Sequence, residues 1–96
     1  MQNDEFEWDD EKAALNVERH QLSFETARRA FADYFAVSRD DNRHDYGEDR
    51  YLLLGMVEER LLVISYTLRD SRIRIISARL AEPRERRRYH EQNIED

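Results

Sequence analysis

Three consecutive stretches, about residues 50–57, 61–68 and 72–79, are rich in Leu, Val, Ile, Tyr and Thr, and only Glu58-Glu59-Arg60 and Arg69-Asp70-Ser71 separate them. β-branched and aromatic residues suit a pleated, half-buried surface, and polar links this short suit hairpins. The pattern predicts an antiparallel meander. Upstream the period changes. Residues 5–8 predict a short strand, and Asp9 is placed to cap a helix over about 10–20, with Asp10 and Glu11 at the positive end of its dipole. Lys12, Asn16 and His20 recur every four residues and predict one polar stripe on that helix. Ser23 caps a second predicted helix of about 24–33, whose Phe24, Ala27 and Phe31 form an apolar face with Ala30 and Tyr34 beside it. We read that face, and Trp8, as core. Residues 34–38 predict another strand, 39–49 a polar acidic loop, and Pro83 the first turn of a last helix over about 83–91. Helices followed by an antiparallel sheet make an α+β fold, and 96 residues form one domain, 1–96.

The last predicted strand carries the candidate chemistry. Side chains alternate faces on a strand, so Arg72 and Arg74 share a face with Ile76, while Ile73 and Ile75 share the other with Ser77 and Arg79. Arginines on so apolar a strand need anionic partners, and the five fixed donors of a guanidinium suit carboxylate or phosphate. One reading is edge arginines that pair with acids or lie in solvent. The other is a phosphate-gripping face. Arg74 and Arg79 have opposite parity, so one site can use both only if a bulge or the strand end re-aims one of them.

Composition narrows the chemistry. There is no cysteine, which excludes disulfides, thiolate metal sites and cysteine nucleophiles. The apolar run at 61–65, like every other in the chain, is far too short to span a bilayer, and the acidic N-terminus has no signal-peptide pattern. The net charge of −6 hides an asymmetry: residues 1–49 carry −8, 50–90 carry +5 and the last six −3. A basic half can make a local attractive field in an acidic chain. All basic residues but Lys12 are arginine.

Motifs in order along most of the chain resemble one family. They are Phe6-Glu7-Trp8-Asp9, then Lys12, Asn16 and Arg19-His20, then Ser23-Phe24-Glu25 with Ala27 and Phe31. Arg50-Tyr51 and Gly55 follow, then the run from Arg74 to Arg79, then Glu85-Arg86 and Tyr89. This set resembles the BrnT family, the toxin half of a bacterial type II toxin–antitoxin pair. One departure is plain: the family places Gly after the helix-ending His, and here that position is Gln21. The resemblance implies a RelE-like fold, with an N-terminal strand and two helices packed on an antiparallel sheet, and a short C-terminal helix. That sheet would be the three-stranded meander plus one or two strands. It further implies a bacterial cytoplasmic endoribonuclease that needs no cofactor. The implied partner is a cognate antitoxin resembling BrnA with a ribbon-helix-helix domain, through which alone the complex would meet operator DNA.

The residues themselves fit metal-free RNA cleavage. His20, His44 and His90 are scattered without ligand spacing. The loop acids Asp40, Asp41, Asp45, Glu48 and Asp49 read as solvated charge rather than a cation site. No nucleophile elbow is present, and Gly47 and Gly55 make no phosphate loop. What remains is Arg, Lys, His and Tyr. Such a set suits attack by the substrate's own 2′-OH, which needs a base, an acid and cations on the crowded phosphorane. The candidate catalytic residues are Arg74, Arg79, Arg50 and His20, and the candidate RNA contacts are Lys12, Arg72 and Tyr89. Each has a second reading: Arg79 as a salt bridge to Glu85, Arg50 as a partner of the loop acids, His20 as a helix-end cap. Lys12 could equally sit on a solvated helix face, and Tyr89 could be a ring buried against the sheet. A catalytically weak or inactive module that only binds protein or nucleic acid is the alternative function. The arginines at 84 and 86–88 fit RNA, an acidic antitoxin or solvent equally.

Overall fold

A five-stranded mixed sheet in the order β1-β5-β4-β3-β2 organises the chain. Its strands are β1 (Phe6–Glu7), β2 (Val37–Asp40), β3 (Tyr51–Val57), β4 (Arg60–Arg69) and β5 (Arg72–Leu80). β1 lies parallel to β5 and every other pairing is antiparallel. Three helices complete this α+β fold: α1 (Asp10–His20), α2 (Phe24–Ala27) and α3 (Pro83–Gln92). The computed structural model describes residues 1–43 and 45–93; His44, weighed above as a metal ligand, lies outside the described residues.

The meander forms as its pattern predicts. Asp70 and Ser71, both at positive φ, make the two-residue turn between β4 and β5, the backbone that matches strand twist in such hairpins. Two expectations shift. The predicted helix 24–33 is α-helical only to Ala27 and tightens into a 3₁₀ segment, Arg28–Ala32. This brings Ala30 so close to β3 that a Cβ on Gly55 would lie 2.6 Å from the Ala30 carbonyl oxygen. The predicted strand at 34–38 starts only at Val37. The Asp33 carboxylate accepts from the Phe35 amide at 2.9 Å, a local turn that holds the chain off the sheet. Tyr34, expected beside the core, is 92% exposed as a result.

Each sheet face has its own apolar cluster. On one, α1 and α2 close over Trp8, Phe24, Ala27, Leu62, Ile64, Ile75 and Ala78. On the other, Tyr89 of α3 packs with Leu52, Leu54, Leu61 and Val63. Alternation along β3 and β4 produces this division.

Asn16 breaks its expected stripe. It is buried at 5% exposure, not solvated with Lys12 and His20. β1 covers only the start of β5, leaving the rest of β5 an edge. There the Asn16 Oδ1 accepts from the Ala78 amide (3.0 Å), and its Nδ2 donates to the Ala78 and Leu22 carbonyls (2.9 Å each). The amide side chain pairs with β5 as a neighbouring strand would, and so closes an edge.

Candidate functional site

The register of β4 and β5 settles the parity of the arginines. Ser65 pairs with Ser77 and Tyr66 with Ile75, so Ile76 is one extra residue on β5. A bulge of this kind reverses the facing of everything after it. Ile75 and Ala78, three apart, accordingly share one core cluster. Arg72, Arg74, Ser77 and Arg79 then all lie on the face that α3 partly covers.

Cross-strand rows build that face. Arg74 pairs with Thr67 of β4 and with Glu7 of β1, and Arg50, just before β3, continues the row by parity. The next row is Arg39, Leu52, Ser65 and Ser77; the next is Val37, Leu54, Val63 and Arg79. Rows on one face are two residues apart, so Arg74 and Arg79 are separated by about 13 Å along the strands.

Each candidate arginine already has a partner. Arg74 Nη1 donates to Glu7 Oε2 at 2.9 Å, with Glu7 almost fully buried. Arg79 grips Glu85 with two bonds, 2.9 and 2.8 Å, which tie α3 to β5. The Glu85 carboxylate holds the Arg79 guanidinium above its usual pKa, and Arg79 holds Glu85 below the usual carboxylate range. Arg50 donates to Glu48 at 3.1 Å and stacks on the Tyr46 ring. Arg72 donates to the Asn3 carbonyl at 2.7 Å and pins the N-terminal turn.

Of the other candidates, Tyr89 packs against these rows, and Lys12 and His20 lie apart from them. Lys12 and His20 line a shallow hollow with Ile76 beside α1. Gln21 ends α1 at φ 54°, the left-handed conformation the family's Gly would adopt freely. Tyr89 is buried, and its hydroxyl donates to Asp33 Oδ2 at 2.6 Å. Burial, then that hydrogen bond, pushes the Tyr89 hydroxyl up to about 12. For Asp33, burial alone would raise the pKa; the Tyr89 hydroxyl and the Met56 and Phe35 amides outweigh it and lower it. In the acidic loop, Asp41 is spent on Arg43, which it meets through two bonds at 2.8 and 3.0 Å.

Sequence reasoning missed Glu7 as the carboxylate beside Arg74, the hydroxyls of Ser65, Thr67 and Ser77, and Arg39 on the same face. Glu7 sits in the opening motif, but only the parallel β1–β5 pairing brings it to Arg74. No pattern in β2 and β5 alone brings Arg39 and Ser77 into one row.

A small α+β domain that gathers arginines from β2, β5, α3 and the residue before β3 on one side is a protein suited to a polyanion. The family model of BrnT, the ribonuclease toxin of type II toxin–antitoxin systems, matches residues 8–85, and the chain belongs to that family. Membership makes an antitoxin its partner. Comparison with curated proteins gives no match. No described helix is long and apolar enough to cross a membrane.

Proposed function

We propose that the chain, acting as one domain over 1–96, is a metal-independent endoribonuclease whose site is the open part of the arginine face, centred on Arg74. The observation that carries this reading is the bulge at Ile76, which turns Arg74 and Arg79 to one side of the sheet. Arg74 has only Nη1 engaged among the described residues, so its remaining donors are available to a phosphate. Glu7 Oε1 has no hydrogen-bond partner among the described residues, and that carboxylate is the base beside Arg74. In the proposed step the 2′-OH yields its proton to Glu7 and its oxygen bonds to phosphorus. The bond to the 5′-oxygen breaks, and that oxygen takes a proton from water. The products are a 2′,3′-cyclic phosphate and a 5′-hydroxyl. Arg74, with Arg50 from the same row, offsets charge on the phosphorane. Arg79 and Tyr89 hold α3 in place, Arg72 steadies β1, and Lys12 and His20 take no part in bond cleavage. The antitoxin in this proposal carries a ribbon-helix-helix domain, and the pair works in the bacterial cytoplasm.

A binding module that does not cut is the second reading, favoured by the carboxylate partners of Arg50, Arg74 and Arg79 and by the distance of His20. Brief induction in a bacterial host, with total RNA followed for wild type and Arg74→Ala, separates the two. Fragmentation by wild type alone, unaffected by EDTA in vitro and leaving cyclic phosphate ends, is expected. Intact RNA with folded, expressed protein refutes the ribonuclease.

A further inference from the structure

The arginines with the most donors to spare are not those of the proposed cleavage site. Arg39 of β2 and Arg84, Arg87 and Arg88 of α3 line an open cleft of about 550 Å³ between that helix and the outer strand. None of the four has a carboxylate within 4 Å among the described residues. Of the two acids that line the cleft, Glu85 is neutralised by Arg79, and Glu82 closes a capping box with Glu85 at the start of α3. Four like charges held around one space repel each other unless an anion joins them. Beneath, Leu52, Leu54 and Val63 are buried under α3, so a docking protein segment would find little apolar surface to cover. The cleft is also continuous with the sheet face. Arg39 stands in one row with Ser65 and Ser77, one row from Arg74.

We infer that this cleft is a second phosphodiester subsite, which holds the RNA chain beyond the scissile bond. It rests on the proposal that RNA is the substrate. Its contacts are to phosphates and not to bases, so it adds affinity and salt dependence without sequence preference.

The test uses a fluorescent single-stranded 2′-O-methyl oligonucleotide, which cannot undergo 2′-OH attack, and reads anisotropy from 50 to 300 mM salt. Arg84 and Arg87 are exposed, so Arg84→Gln/Arg87→Gln retains the fold. For two lost phosphate contacts, the salt slope falls by about 1.4 and Kd rises on the order of tenfold. Arg19→Gln, on α1, changes neither. With cleavable RNA the double variant raises KM and leaves kcat unchanged. Unchanged slope and Kd in the double variant overturn the subsite, as does normal RNA binding with weakened antitoxin binding, which would make the cleft a protein-docking surface. Wild type that binds the oligonucleotide with the arginine-dependent slope, yet leaves cleavable RNA intact, supports the subsite and refutes the ribonuclease.

Discussion

Replacement of Asn16 by Ala strips three hydrogen bonds from a buried place. The Ala78 amide loses its acceptor, and the Ala78 and Leu22 carbonyls lose a donor. A buried polar group left unpaired costs about 1–3 kcal/mol. The amide belongs at the upper end, because it has no alternative acceptor on this edge. The carbonyls belong at the lower end, since water can approach through the hollow beside Lys12 and Ile76. The sum is about 4–5 kcal/mol. For a domain of this length each kcal/mol moves Tm by about 4–8 °C, so the melting point falls by roughly 16–40 °C. Circular dichroism during heating reads it, and urea titration shows a lower midpoint at unchanged slope. Asn16→Asp adds a sign. Its carboxylate still accepts from the Ala78 amide but faces two carbonyl oxygens, so burial and repulsion raise the folded pKa above the unfolded value. A group raised in this way favours the fold below its unfolded pKa and loses that contribution as pH rises through the folded one. The Asp variant is therefore less stable than the Ala variant at neutral pH and recovers as pH falls toward 4. An Ala variant within about 1 kcal/mol of wild type, or an Asp variant whose deficit ignores pH, refutes the edge-closing role.

Gln21→Gly relieves a left-handed conformation at φ 54° and raises stability by about 0.5–1 kcal/mol, read as a higher melting point; a lower one contradicts the strain. Gly55→Ala places a methyl group 2.6 Å from the Ala30 oxygen, and the forced parting of the 3₁₀ segment from β3 costs about 2–3 kcal/mol, measurable by urea titration. Asp41 is held near a pKa of about 2, chiefly by the Arg43 hydrogen bonds against the opposing effect of burial. Its lowered pKa stabilises the fold above about pH 4, and that contribution vanishes as pH drops through about 2. Asp41→Asn therefore loses about 1–2 kcal/mol at pH 7, discounted for the exposure of Arg43, and flattens the acid limb of a stability–pH curve; an acid limb like the wild type's would sink this assignment.

The meander and both long helices were legible because the β-branched runs with their short polar links, Asp9 and Pro83 are local signals. The site was only half legible. The conflict of parity between Arg74 and Arg79 was visible in the sequence, and so was the need for a bulge, but not its presence at Ile76. Nothing in Ile75-Ile76-Ser77 marks one residue as extra; the pairing of both flanks with β4 decides it. Asn16 was misplaced for a related reason. A period-four stripe cannot reveal that one of its members faces an uncovered strand edge, which exists only because β1 is two residues long. The partner of Arg79 was within reach, since Glu85 follows six residues later across the start of a helix. The partner of Arg74 comes from 67 residues away, beyond any local pattern.

The extra residue in β5 makes the length of that strand matter as much as its letters. Gain of a single codon beside Ile76, with the bulge still holding one extra residue, would keep every arginine, serine and isoleucine of the face, yet carry Arg79 to the side of α1 and α2 and turn Ala78 toward α3. The ion pair with Glu85 would then be lost, and with it the hold on the C-terminal helix. Point substitutions along β5 act by degrees, and loss of Ile76 only restores a regular ladder, whereas a one-residue insertion there is a reversal. Variation in this segment should therefore be tolerated as exchange, or as loss of Ile76 itself, and rejected as insertion.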